Sequence, residues 1–497
     1  MPSYQGAALR VGSSRRRTGR QTERPAVPSG NSARPRTPAG MEGKHLAEET
    51  KSTRLAWPIT LLLVSFVVPW VISLGPARLS PYRVVLIVMT VPCLVQFVSG
   101  KAGRIRLPDV AVILFGLWAI LCLAVVHGTT TAIQGGLITF IETVGAYMIA
   151  RCYIRTEDDF EKMVSLMFKI IVFILLPFGI IEMTTGYKPL LRLFGTILPV
   201  IDVTMMDRRW EFWRVQGPYE HPLLFGVNCG AAYGLTHLVL GHGRPLGQRW
   251  LRTALVGLTL VLCPSSGPLS ALVVQTALIG WNWLLSAVKS RWALLSLAFA
   301  VLCLGIYLYS GQSIARFYIS HAPLFDSWSA YYRILIWENG TATVANHPIF
   351  GIGYNEYERP SWMAASVDIF WLNNAIMFGL PGGLLVMTTL VSAVVLVAMR
   401  QGSDARTDNY RSGYIISMTG FFVVGCTVYF WNGTYSLFFF LVASGLWLAE
   451  TPGRTHSRRP VSARVARLTA AAGIEGNDND GVQTTSRTTP RRRDRAP

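Results

Sequence analysis

Four short stretches carry side chains that a simple membrane anchor has no use for. The first is RVQGPYEHP, residues 214–222. Arg214 is followed by Gly217-Pro218 and then by His221-Pro222. Gly and Pro set a tight bend, and Pro222 suits the first turn of a following helix. The bend aims Arg214 back over the membrane surface, where a guanidinium can grip a phosphate through two parallel hydrogen bonds. The plainer alternative is an interfacial arginine pairing lipid headgroups or Glu220. The second stretch is SAYYRILIWENGTATVANHPIFGIG, residues 329–353. A helix puts Arg333 and Trp337 on one face, Pro348 stops it after Asn346-His347, and Gly351 and Gly353 form a turn. The alternative is an amphipathic helix lying on the outer leaflet, with Trp337 as its aromatic anchor. The third is SVDIFWLNNAIMFGLPGG, residues 366–383. Asp368 sits just before an apolar run, as a helix cap or as a general base beside arginines. The fourth is CPSSGPLSA, residues 263–271. Ser265 and Ser266 either hydrogen-bond a sugar or cap the next helix, the cap being the commoner role.

The elements that must position these residues are membrane spans. The chain has 497 residues, 51% hydrophobic and only 15% charged. Long apolar runs with few charges inside them mark an all-α polytopic membrane protein, because a bilayer core about 30 Å thick takes about 20 residues of helix. About twelve spans are expected, near 55–75, 82–99, 108–127, 132–151, 163–184, 222–241, 250–264, 267–287, 292–309, 373–399, 412–430 and 434–450. Lys and Arg crowd GKAGRIRLP, RCYIRTEDDFEK, HGRPLGQRWLR, VKSRW and MRQGSDARTDNYR, whereas HGTTT, PSSG and WNG have none. The first set is therefore expected in the cytoplasm, with both termini. Two long segments, 185–221 and 310–372, then face outward and carry arginines: Arg192, Arg208, Arg209 and Arg214 in the first, Arg316, Arg333 and Arg359 in the second. Basic residues held there suggest an anionic ligand, and loops this long are usually functional.

The formal charge of +19 does not point to nucleic acid. Much of it lies in residues 1–54 and 451–497, rich in Arg, Pro, Ser and Gly, which read as disordered, lipid-facing cytoplasmic tails. Met41 is an alternative start, since MEGKHLAEETKSTRLAWP leads directly into the first span. The seven cysteines fall in or beside apolar runs without a CxxC pair and read as small buried hydrophobes. There is no HExxH, Walker loop or GxSxG; DND lies in a tail and EDD at 157–159 on the cytoplasmic side, so no metal or nucleotide-sugar site is expected. Glu142 and Lys169 fall inside neighbouring spans and read as an ion pair, or as a snorkelling Lys169.

Taken in order, R-x-x-G-x-x-x-H-P at 214–222, R-x-x-x-W…H-P-x-x-G-x-G at 333–353 and S-V-D-x-F-W-L…G-L-P-G at 366–382 resemble the O-antigen ligase and O-antigen (exopolysaccharide) polymerase superfamily. The resemblance covers roughly residues 55–450. It implies a GT-C-like integral-membrane glycosyltransferase of the bacterial inner membrane, needing neither metal nor cofactor. Such proteins take a glycan from a polyprenyl diphosphate donor at the periplasmic face. The acceptor is a sugar hydroxyl of lipid A–core or of another lipid-linked glycan, and a flippase or chain-length regulator is an expected partner. The family's functional arginines map onto Arg214 and Arg333, and Arg209 is placed with them as a diphosphate ligand. The family's late outer-loop histidine aligns with Asp368, a departure that resembles the polymerase side more than the ligase side. His347 and His221 are the alternative bases, and Trp337 and Ser266 are candidate acceptor contacts. Between cationic groups, Asp368 is expected to stay ionised. Two rival classes remain, a transporter or flippase of lipid-linked sugars and a non-catalytic scaffold. The first predicts inverted repeats, and none is visible between the halves; the second tolerates loss of Arg214, Arg333 and Asp368.

Overall fold

The computed structural model describes residues 54–450 apart from 75–76, 205, 289, 312–316, 318–326 and 401–403. Arg316 and the expected basic tails, Arg54 aside, lie outside the described residues. The chain is mostly helical, with one two-stranded hairpin among the described residues, β1 (Ile72–Leu74) against β2 (Ala77–Leu79). Among the described residues, seven helices are long and apolar enough to cross a bilayer: α2 (Pro81–Val98), α3 (Leu107–His127), α4 (Thr129–Tyr153), α5 (Glu157–Thr185), α11 (Arg291–Ser310), α13 (Phe370–Ala398) and α15 (Asn432–Glu450). Before them comes α1 (Trp57–Ser65), and between them lie α6 (Pro189–Gly195), α7 (Pro222–Ala231), α8 (Tyr233–Leu238), α9 (Leu246–Val261), α10 (Ser266–Leu284), α12 (Ser327–Asn346) and α14 (Ala405–Gly425). This is the architecture of an all-α polytopic membrane protein.

Local chemistry explains the helix starts. Pro81 and Pro108 occupy first-turn positions, where a missing N–H costs nothing. Thr156 and Asp159 each accept the other's backbone N–H and begin α5 with a capping box. Helix α4 winds through two wide π-type stretches, 132–136 and 141–145. The bundle is tied at one end by buried charge. Arg151 on α4 bonds Asp109 at 3.1 Å and Glu450 at 2.5 Å, and Tyr147 donates to Asp109. Five of the seven cysteines are buried and none of the seven forms a disulfide.

Several expectations are corrected. The run 55–75 is not one span: helix stops at Ser65, and the chain turns irregular before the hairpin. Pro69 cannot continue a helical ladder, and the freed backbone pairs with the long 185–221 segment instead, Val71 N–H to Pro199 O and Ile201 N–H to Pro69 O. The 222–241 run breaks at Ala232 into α7 and α8. Glu142 does not pair with Lys169, which is exposed; it accepts from Arg83 Nε at 2.8 Å and Tyr82 OH at 2.7 Å.

Helix α13 carries the feature that shapes the site. Its turns are broken at Phe378 and Gly379, the latter at φ 71°, ψ 179°. Pro381 has no N–H for the Met377 carbonyl and crowds that turn. The released carbonyls are taken up by other elements. Ile376 O accepts from Ile352 N–H at 2.9 Å, Met377 O from Gly353 N–H at 3.0 Å, and Phe378 O from Trp118 Nε1 at 2.8 Å. Leu380 N–H in turn donates to Pro348 O. The HPxxGxG segment is thus docked into the GLPG break, which places the residues after Gly353 at the mouth of the bundle.

Gly379→Ala tests this joint. A Cβ there would sit 2.0 Å from the Ile349 carbonyl oxygen, at a φ that only glycine takes without strain. The expected result is a fold less stable by about 1–3 kcal/mol, read as a lowered melting temperature. Gly280→Ala, which meets open space on α10, should be neutral or slightly stabilising.

Candidate functional site

Three consecutive residues where the α9–α10 turn enters α10 each hold one arginine. Arg209 Nη1 donates to the Pro264 carbonyl at 2.8 Å, Arg214 Nη2 to Ser265 Oγ at 2.7 Å and Arg333 Nη2 to Ser266 Oγ at 3.3 Å. Ser265 stands at the N-cap of α10, yet its hydroxyl makes no capping bond. The cap expected for these serines is therefore corrected, because both hydroxyls are committed to guanidinium groups.

Each arginine is set by its own local structure. Arg209 opens a two-residue turn closed on Phe212 by a reciprocal pair of 3.0 Å backbone bonds. Trp210 and Glu211 hold φ at 50° and 67°, strained values for side-chain-bearing residues. Arg214 leads into a bend clamped by Glu182, whose carboxylate accepts the N–H groups of Gln216 at 2.8 Å and Gly217 at 3.0 Å. Lys188 closes the same carboxylate at 2.8 Å. Gly217 turns at φ 59°, and a Cβ there would strike Phe225 at 2.8 Å. The Gln216 side chain then fixes the segment upstream through Thr204 N–H and Asp202 O. Arg333 projects from α12, which packs on α13 through Ile336, Val344, Leu372 and Ile376.

These pieces surround a chamber of about 820 Å³, within the usual size of a ligand site. Arg209, Arg214, Arg333, His221, Ser265, Ser266 and Asp368 all line it. Tyr354, Asn373, Tyr429 and Trp431 complete the wall. Sequence reasoning did not find these four; the last two lie in the TVYFWNG turn, whose lack of charge drew attention only to topology. Tyr429 and Trp431 stack at 6.1 Å. Arg214 is only 8% exposed, and its Nε is buried with no hydrogen-bond partner among the described residues. A buried guanidinium N–H of that kind calls for an acceptor supplied from outside the chain. Arg214 does not pair with Glu220, which accepts instead from Asn432 Nδ2 at 2.9 Å.

Asp368 is half-buried beside Arg333. Burial pushes its carboxyl above the ordinary aspartate range, and the Arg333 charge opposes that shift. The result is a more basic carboxylate than one held by cations alone. His221 behaves differently. Its Nδ1 accepts the Leu223 N–H at 3.1 Å, capping α7. Burial, with the Arg214 charge, pushes its pKa down to about 4. With Nδ1 occupied as acceptor, the neutral ring carries its proton on Nε2 and offers a donor, not a base.

Two sequence candidates fall elsewhere. His347 is exposed, with Nε2 3.6 Å from Glu358, and does not line the chamber. Trp337 packs into the small core around Ile336 and Tyr357. Among the other loop arginines, Arg208 lies over the Trp213 ring at 4.3 Å and Arg359 pairs with Glu356. Comparison with known proteins returns no matching family model and no matching curated sequence.

The His221 assignment has a pH signature. Unfolded, the imidazole takes up its proton near about pH 6.5; folded, near about 4. Between those values the unfolded chain binds more protons, so this group's contribution to stability is lost as the pH falls. His221→Asn keeps a cap acceptor and cannot titrate; its melting temperature should fall less than the wild type's on acidification through this window.

Proposed function

We propose that the chain is a glycosyltransferase that moves a glycan from a polyprenyl diphosphate donor to a sugar hydroxyl. The single observation that carries this reading is the gathering of Arg209, Arg214 and Arg333 with one carboxylate, Asp368, in one chamber. A leaving diphosphate gains negative charge as its bond to the sugar breaks. Donors already aimed at that charge stabilise the transition state without reorganising, often the largest catalytic effect. Arginine suits the task, because its fork matches phosphate oxygens and stays charged when partly buried.

The step follows from the roles. The acceptor oxygen bonds to the anomeric carbon, and the carbon–oxygen bond to diphosphate breaks, its electron pair leaving with the phosphate. Asp368 takes the hydroxyl proton. Attack opposite the leaving group inverts the anomeric centre. His221 Nε2–H adds a neutral donor to the wall, and Tyr429 and Trp431 offer an apolar face for a sugar ring. The resemblance in the three motifs supplies the setting: a GT-C-like membrane domain in the bacterial inner membrane, with the chamber on the periplasmic side. The acceptor is then a growing lipid-linked glycan or lipid A–core, and cell-surface polysaccharide is the product.

The test is transfer by full-length protein in nanodiscs, supplied with polyprenyl-diphosphate oligosaccharide and EDTA. Wild type should lengthen the glycan, or transfer it only once lipid A–core is added. Asp368→Asn should cost about 10²–10⁴-fold in rate and Arg333→Ala about 10²–10³-fold. The acid limb of the wild-type profile should lie above the ordinary aspartate value of about 3.9. Activity unaltered in both variants would end the proposal.

A further inference from the structure

A second chamber, of about 620 Å³, adjoins the first. Its wall includes Arg78, Arg83, Asp202, Thr204, Glu220 and Asn432. Two pairs of consecutive residues form the partition. His221 and Trp431 face the first chamber, while their neighbours Glu220 and Asn432 face the second. The His221 and Trp431 rings meet edge to face at 5.9 Å on one side. On the other, Asn432 Nδ2 donates to Glu220 at 2.9 Å.

The two chambers differ in chemistry. The first has three arginines against one carboxylate, an excess suited to an anion. In the second, two arginines stand against Asp202 and Glu220, so formal charge cancels. One of the two arginines is also committed internally: Arg83 Nε donates to Glu142 and Nη2 to Asn432 Oδ1 at 3.0 Å. What remains is a wall of donors and acceptors without net charge. Sugar hydroxyls both donate and accept, and such a wall matches them. Asn432 sits at the centre of the network with φ 51°.

We infer that the second chamber is the acceptor subsite, holding the uncharged, hydroxyl-rich end of the acceptor glycan while its attacking hydroxyl enters the first chamber past the His221–Trp431 edge. The inference rests on the transferase reading above. It separates the two substrates by charge: diphosphate on the Arg209–Arg214–Arg333 side, neutral glycan on the Arg83–Asn432–Glu220 side.

The test is a pair of titrations on full-length protein in nanodiscs. One uses short, lipid-free oligosaccharides cut from the envelope polysaccharide of the cells that make this protein. The other uses undecaprenyl diphosphate. Ser73→Trp with Ser80→Trp fills the second chamber from its hairpin side. Asn432→Gly keeps the backbone turn and removes the amide. Both variants should weaken oligosaccharide binding about tenfold or more, the loss of a hydrogen bond or two, and leave undecaprenyl diphosphate binding unchanged. Arg333→Ala should do the reverse. Oligosaccharide binding that is absent in the wild type, unaltered in both chamber variants, or lost on Arg333→Ala overturns the inference. Wild type that binds the oligosaccharide but not undecaprenyl diphosphate overturns the acceptor role together with the transferase reading.

Discussion

A guanidinium needs a fixed partner before it can serve as a fixed cradle, and three such partners come from one turn. Pro264, Ser265 and Ser266 each receive one N–H, from Arg209, Arg214 and Arg333. The arginines arrive from two long segments far apart in the chain, 185–221 and 310–372. Left to themselves, three like charges in one chamber repel. The turn offsets this by giving each a neutral oxygen, and the buried Arg214 Nε has no hydrogen-bond partner among the described residues. The rest of the structure serves to bring those segments to that turn. Glu182 clamps the first, and the break in α13 receives the second.

That break shows how a membrane helix can position a loop. Pro381 and Gly379 free the carbonyls of residues 376–378, which would be costly if left unpaired in an apolar setting. The backbone N–H groups of Ile352 and Gly353 and the Trp118 indole satisfy them. The same exchange fixes Tyr354, whose N–H donates to His127 at 2.8 Å, and thereby part of the chamber wall. Stability and site geometry are therefore drawn from the same bonds.

The apolar runs made the helical membrane architecture legible, since their length is dictated by the bilayer. The arginines and Asp368 were legible too, because a charge beside a span stands out. The function of Ser265 and Ser266 was not. A serine after a turn reads as a cap, and nothing local reveals an arginine 51 or 67 residues away. Trp337 illustrates the limit of helical spacing: it shares a strip with Arg333, but one turn along α12 is enough to set it, half-buried, against a separate core. Arg78 and Arg83 were overlooked although the signal existed. They are basic residues in β2 and the first turn of α2, at an end of the bundle where the charge pattern predicts none. Glu142 lacked its true partner in the reading for the same reason.

The cradle itself is the claim on which everything else depends, and it can be measured without turnover. Titration calorimetry of undecaprenyl diphosphate against nanodisc-embedded protein should show saturable binding, weakened by about tenfold or more in the Ser265→Ala/Ser266→Ala double variant, the cost of losing two charge-assisted hydrogen bonds. Equal affinity in wild type and double variant, both folded, would contradict the account, as would no binding by the wild type.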